Sequence, residues 1–266
     1  MLYVRNKNLF KHVFTMKESN CTIITERADV VEKAVSSIIC HRKQLEEYVE
    51  NNPQFLHSLR PIHANKGPKI VKLMVSASQK VDVGPMASVA GVLADLAVET
   101  MTCSGANVAV VENGGEISAM SDRPVDIALL AGDHPLSGLM GFRLEEFPLG
   151  VATSSGLFGH ALSFGEAEAV TVFSRNAGVA DAAATSICNV VNGKDCHRAV
   201  KCGIDKALSI KDVNGVFILY RGITGIAGKI PNITKVFKGE DQGLFRNQSS
   251  ELFQNLVIPA HLTANE

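Results

Sequence analysis

What the chain lacks already narrows its function. Lysine and arginine (26) nearly balance aspartate and glutamate (27), so no overall field exists to collect nucleic acid or an anionic membrane surface. Met1 to Phe14 alternate charged and apolar residues without the apolar core of a secretory signal, and no window reads as a membrane span. The six cysteines (Cys21, Cys40, Cys103, Cys188, Cys196 and Cys202) include no C-x-x-C pair. They read as reduced, mostly buried thiols of a cytoplasmic protein. Cys196, His197 and Cys202 match no zinc spacing. No G-x-S-x-G elbow or H-E-x-x-H pair occurs. Gly222 to Lys229 resembles a phosphate-binding P-loop, but five residues separate Gly222 from Gly228 and Ile230-Pro231 replaces the required hydroxyl residue.

What is present describes an ordered α/β chain. Hydrophobic residues make up 46% and charged residues 20% of 266, which excludes a disordered chain. Tyr3 to Lys17 reads as a pair of strands and Asn20 to Ile24 as another. Ala28 to Glu50 carries an apolar stripe at helical spacing (Val31, Ala34, Val35, Ile38, Leu45), and Asn51-Asn52-Pro53 ends it. From Lys69 the pattern alternates: a strand over Ile70 to Ser76, a helix over Val89 to Met101, and a buried strand over Asn107 to Val111. Strands near Val125 to Leu130, Phe142 to Leu144 and Ala169 to Phe173 precede a helix over Val179 to Val190. A helix over Cys196 to Leu208, a strand over Gly215 to Tyr220 and a charged tail from Gly239 complete the chain. Ala94-Asp95-Leu96-Ala97 echoes Ala180-Asp181-Ala182-Ala183, each read as the helix of a strand, loop and helix unit. The echo is as compatible with coincidence as with duplicated halves near 1–120 and 121–266.

Three stretches could carry chemistry. In Glu112-Asn113-Gly114-Gly115-Glu116, the Asn-Gly pair between apolar runs predicts a hairpin, and the bare glycines would let a ligand approach backbone N–H groups. In Ala152-Thr153-Ser154-Ser155-Gly156, hydroxyls and glycine suit phosphate oxygens, with His160 following as a proton carrier; an ordinary polar loop explains the composition equally well. Asp181 and Thr185, four residues apart, share one helix face and could hold a hard cation such as Mg²⁺ or Ca²⁺, or simply cap and brace their helix.

In this order, with Asp82-Val83-Gly84-Pro85-Met86-Ala87 before them, these stretches resemble the ApbE-like superfamily, the flavin transferase family. The resemblance covers roughly residues 70 to 220 and implies an α+β fold of the two-layer sandwich type. It further implies a divalent cation held by Asp181, Thr185 and the carbonyl of Ala87, beside the pyrophosphate of FAD or FMN. Asn113, Gly114, Gly115, Glu116, Thr153, Ser154, Ser155 and Gly156 would cradle the nucleotide, and His160 would serve in catalysis. Departures from the family pattern are Ser88 for a lysine, Glu116 for an aspartate, and Gly159 to Gly165 for a His-x-x-Asp-Pro loop. They place the chain nearer a shorter cytoplasmic branch associated with sulfur incorporation into homocysteine, for which Cys188 is the thiol nearest the site in sequence. The partners implied are a nucleotide-like small molecule and a protein acceptor, with a homo-oligomer compatible and neither nucleic acid nor a membrane expected.

Overall fold

The computed structural model describes residues 9–64, 66–132, 134–157 and 164–236, with the backbone of 2–3 and 256–257. Its strands are β1 (Leu2–Tyr3), β2 (Phe10–Met16), β3 (Ser19–Thr25), β4 (Val108–Asn113), β5 (Glu116–Ser121), β6 (Val125–Ala128) and β7 (Met140–Leu144). After these come β8 (Leu149–Ser154), β9 (Ala169–Ser174), β10 (Val213–Tyr220), β11 (Ile223–Gly228), β12 (Asn232–Lys235) and β13 (Leu256–Val257). The helices are α1 (Val31–Asn51), α2 (Gln54–His57), α3 (Lys69–Val81), α4 (Val89–Cys103), α5 (Ala177–Cys188) and α6 (Cys196–Ser209).

One sheet of nine strands runs β13-β11-β10-β9-β8-β5-β4-β3-β2, and a second of four runs β1-β6-β7-β12. Among the described residues only the β11–β13 pair is parallel. Strand alternation sorts the large sheet's side chains into two buried faces. Ala109 and Val111 pack with α1 and α4, and Val170 and Val172 with α5 and α6. On the other face Val108, Val110, Ile117, Val151, Phe173 and Phe217 meet the small sheet. Phe142 of β7 contacts Phe173 and Phe217 edge-on, with centroids 4.9 and 5.7 Å apart. The expected α+β class holds, and the small sheet adds a layer behind the expected two.

The strand predicted over Ile70 to Ser76 is instead the first half of α3. Its β-branched residues suggest a strand over seven residues, but over the whole segment Ile70, Val71, Met74, Val75, Ser78 and Val81 form a buried helical stripe. The first copy of the proposed strand, loop and helix repeat therefore contains no strand. Of the strand pair read over Tyr3 to Lys17, Phe10–Met16 joins the large sheet, whereas Leu2–Tyr3 pairs with β6 in the small one. The Gly222 to Lys229 run is β11: Arg221 (φ 48°) and Gly222 (φ 79°) form a two-residue turn after β10, and Gly225 makes room for Val200 of α6. The tail from Gly239 lies outside the described residues, apart from the β13 backbone.

Pro85–Cys103 is long and apolar enough to cross a membrane, contrary to the sequence reading. Half of that stretch is buried, and α4 packs there against α1, α5 and the large sheet, so its apolarity is spent on the core.

Helices α4 and α5 meet at their first turns, and this crossing organises everything near it. A Cβ on Gly91 would lie 2.3 Å from the Ala177 carbonyl oxygen, and one on Gly178 would lie 2.5 Å from Val92 Cγ2. At such closeness each helix can satisfy the free N–H groups that open the other. The Asp95 carboxylate of α4 accepts from the N–H groups of Ala177 and Gly178 (both 2.9 Å), and the Asp181 carboxylate of α5 accepts from Gly91 N–H (3.0 Å). The two Ala-Asp steps that echo each other in sequence are thus reciprocal caps. Ser118 of β5 donates to Asp95 at 2.7 Å. Ser118→Ala is expected to cost about 1.5–3 kcal/mol, the range for a hydrogen bond to a charged group, checked by urea denaturation.

Candidate functional site

The β4–β5 hairpin turns at Gly114 (φ 70°) and Gly115 (φ 119°), conformations that glycine adopts without strain. Its tip stands at the end of the large sheet, and the two faces of the sheet there present different chemistry.

On the helix face, Asn113 is buried and its amide is engaged at both ends. Oδ1 accepts from the Cys21 thiol (3.4 Å), and Nδ2 donates to the carbonyl of Ala90 (3.2 Å) in the first turn of α4. The next residue, Gly91, is the one that Asp181 holds. Glu116 is Asn113's partner across the hairpin and, two residues before Ser118, points to the same helix layer. Asp181, Glu116 and Asp95 are ringed by protein, yet each keeps part of its surface open to solvent, so they line a recess and are not sealed in the core. Burial pushes the carboxyl of Asp181 well above the usual carboxylate range, and the charges of Glu116 and then Asp95 add to it. Burial, reinforced by Glu112, pushes Glu116 up to about 7. Burial raises Asp95 as well, against the hydrogen bonds it accepts. Burial also lifts the Cys21 thiol to about 11, so Cys21 stays protonated and donates to Asn113.

Ser154 closes this face. It lies two residues beyond Ala152, whose side chain packs into the apolar layer around α5, so it points the same way. Its hydroxyl is buried and has no hydrogen-bond partner. Such a group costs on the order of 1–3 kcal/mol unless something else satisfies it. Thr185 is buried one helical turn beyond Asp181, and the Pro85–Ser88 turn that carries Ala87 packs against α5. Ser88, where the resemblance expects a lysine, is fully buried and donates to the Pro85 carbonyl at 2.8 Å, so it brings no positive charge.

On the opposite face, Gly114, Gly115, Thr153, Ser155 and Thr171 line a cavity of about 200 Å³ with Ile117, Val151, Leu129, Leu130 and Phe142. The hydroxyls of Thr153 and Thr171 bond to each other at 2.9 Å across β8 and β9. The hairpin tip and the 153–155 stretch thus share one cleft. The small sheet supplies its far wall.

Among the predicted site residues, Gly114, Gly115, Thr153 and Ser155 meet at the cavity, and Asn113, Glu116, Ser154 and Asp181 face the helices. Gly156 does something else. A Cβ there would lie 1.9 Å from the carbonyl oxygen of Gly165, so its bare backbone lets the two ends of the intervening loop close. His160 lies outside the described residues. Cys188 is buried at the end of α5 against Gly165, but the expectation of mostly buried thiols fails: Cys40, Cys103 and Cys202 are exposed, Cys196 is half-buried, and only Cys21 joins Cys188 in the core. Sequence reasoning missed the roles of Asp95, Ser118 and Thr171; only Asp95 left a trace, in the echoed Ala-Asp step. Among the described residues, no three His, Cys, Asp or Glu side chains converge as a metal cluster.

This fold and site define an ApbE-like protein, and the chain belongs to the family whose model is described as "AbpE bacteria", which it matches over residues 3–213. Among similar proteins, a UPF0280 protein of Methanococcus vannielii is 39% identical over 240 residues, spanning 88% of this chain and 97% of the relative. A UPF0280 protein of Methanothermobacter thermautotrophicus is 41% identical over 198 residues, 74% and 77% of the two chains. The apo structure of the flavinyl transferase ApbE of Pseudomonas stutzeri has a TM-score of 0.51 at 16% identity, covering 80% of this chain and 91% of that one. The ApbE protein of Thermotoga maritima gives 0.52 at 13% identity, over 83% and 97%. At these identities the solved structures share the fold.

Proposed function

We propose that this protein binds a flavin nucleotide, or a closely related phosphate-containing ligand, together with a divalent cation, and that it is a flavin transferase. The observation that carries the reading is the division of chemistry about the hairpin tip. A mostly apolar cavity with a hydroxyl pair on one side suits a flat heteroaromatic ring, and an acidic recess on the other suits a cation that draws phosphate oxygens. The carboxyls of Asp181 and Glu116 share that recess and an unpartnered Ser154 hydroxyl lies on the same face, a donor set that fits a hard cation. Asp181, Thr185 and the carbonyl of Ala87 would hold the cation. Once bound, it would neutralise charge on the bridging phosphate oxygens. Asn113 fixes the hairpin against α4, the Gly114 N–H is held by the Asn20 carbonyl at 3.0 Å, and Gly115, with open space where a Cβ would stand, leaves the tip accessible to the ligand. A cytoplasmic location and a protein acceptor complete the proposal.

Calorimetric titration of FAD with and without Mg²⁺ tests it. The wild type should bind at least tenfold more tightly with Mg²⁺, and Asp181→Ala should lose that enhancement. Because Asp181 also caps α4, Asp181→Asn, which keeps an acceptor for Gly91 N–H, is the companion variant. Equal enhancement in wild type and both variants would overturn the reading.

A further inference from the structure

We propose that Glu116 is itself a cation ligand, so that Asp181, Glu116 and the Ser154 hydroxyl form a site able to take up a divalent cation before any nucleotide arrives. The inference rests on the cation site of the proposed function and extends it. A site with a single carboxylate would depend on the phosphates of its ligand, whereas one with two would not.

Three observations converge. Glu116 and Asp181 reach the same recess from opposite sides. Glu116 stands across the hairpin from Asn113, which holds Ala90, and Asp181 holds the adjoining Gly91. The Glu116 side chain also folds back over the tip, where its Oε2 lies 3.4 Å from the place a Cβ would occupy on Gly114.

Asp95, the third acid nearby, is already engaged. Its oxygens accept from Ala177, Gly178 and Ser118, whereas Asp181 is held by backbone N–H groups at the start of α4, Gly91 at 3.0 Å from Oδ2. Two acids of the recess therefore retain lone pairs.

Ser154 provides the independent observation. Its hydroxyl is unpartnered, its residue is 6% exposed, and strand alternation directs it at the α5 layer, toward the end of β8 nearest the hairpin tip. A hard cation would satisfy that oxygen and relieve the repulsion between the two carboxylates together.

Mn²⁺ alone, with no nucleotide, is the probe, and its binding is followed by electron paramagnetic resonance and by the shift in melting temperature. The wild type should take up Mn²⁺ at submillimolar concentration. Glu116→Gln and Asp181→Asn should each weaken uptake at least tenfold, and Glu116→Asp should stay within a few-fold of wild type. Ser154→Ala removes a hydroxyl that holds nothing in the fold, so it should leave folding intact and weaken uptake several-fold. That keeps the proposal testable if an acid variant does not fold. Wild-type affinity in Glu116→Gln or in Ser154→Ala would overturn the inference. Failure of the wild type to bind Mn²⁺ without nucleotide would overturn it too, while Mg²⁺-dependent FAD binding would leave the proposed function standing.

Discussion

Gly91→Ala should destabilise the protein by about 3 kcal/mol or more. The added Cβ would lie 2.3 Å from the carbonyl oxygen of Ala177 and 2.8 Å from the nitrogen of Gly178. These are backbone atoms at the start of α5, so no rotamer change relieves the contact. Helices α4 and α5 would have to part, and parting them lengthens the bonds from Asp181 to Gly91 and from Asp95 to Ala177 and Gly178. Buried carboxylates would then lose their donors as packing is lost. Urea denaturation of the purified variant measures the loss. A midpoint close to that of the wild type would show that the crossing is looser than its geometry implies.

In metal-free buffer, stability should fall between pH 5 and pH 8. The carboxyl of Glu116 is pushed up to about 7 in the folded protein from an ordinary value of 4.5. A carboxyl raised by folding binds its proton more tightly in the native state than in the unfolded chain. Its contribution is therefore complete below about pH 4.5 and is lost as the pH rises through about 7. Asp181 and Asp95 move in the same direction. Because the recess admits some solvent, the Glu116 part of the loss is about 2 kcal/mol, below the full value of such a shift. Denaturation in the presence of a chelator at pH 5 and pH 8 tests this. Glu116→Gln should flatten much of the slope, and a wild type equally stable at both pH values would refute it.

How much of the fold and site is legible in the sequence depends on how local the cause is. The hairpin is legible because Gly114 and Gly115 announce a turn that few other residues can make. Helix α5 is legible because its apolar stripe is continuous. The strand expected at Ile70 to Ser76 fails because a seven-residue window of Ile, Val, Leu and Met suits both periods, and only the buried positions out to Val81 decide for a helix. The site divides in the same way. Glycines and hydroxyls mark the near side of the cavity, but Leu129, Leu130 and Phe142 belong to a sheet whose position behind β8 no local pattern encodes. The role of Asp181 as a cap for α4 is also hidden, since its partner Gly91 lies ninety residues away in the chain. Composition suggests Gly156 as part of the cradle, yet its freedom serves the loop closing onto Gly165.

The interlock of α4 and α5 also bears on how the chain comes together. Neither helix can finish its first turn with its native partners until the other is in place, and the contacts that join them span more than eighty residues. Hairpins such as β4–β5 and β10–β11 can form early from neighbouring residues, but this mutual closure carries the loop entropy of the intervening chain. The acidic recess is assembled by that same closure. The site therefore comes into being late, in the step that makes the fold cooperative, and a partly folded chain carries no working fraction of it.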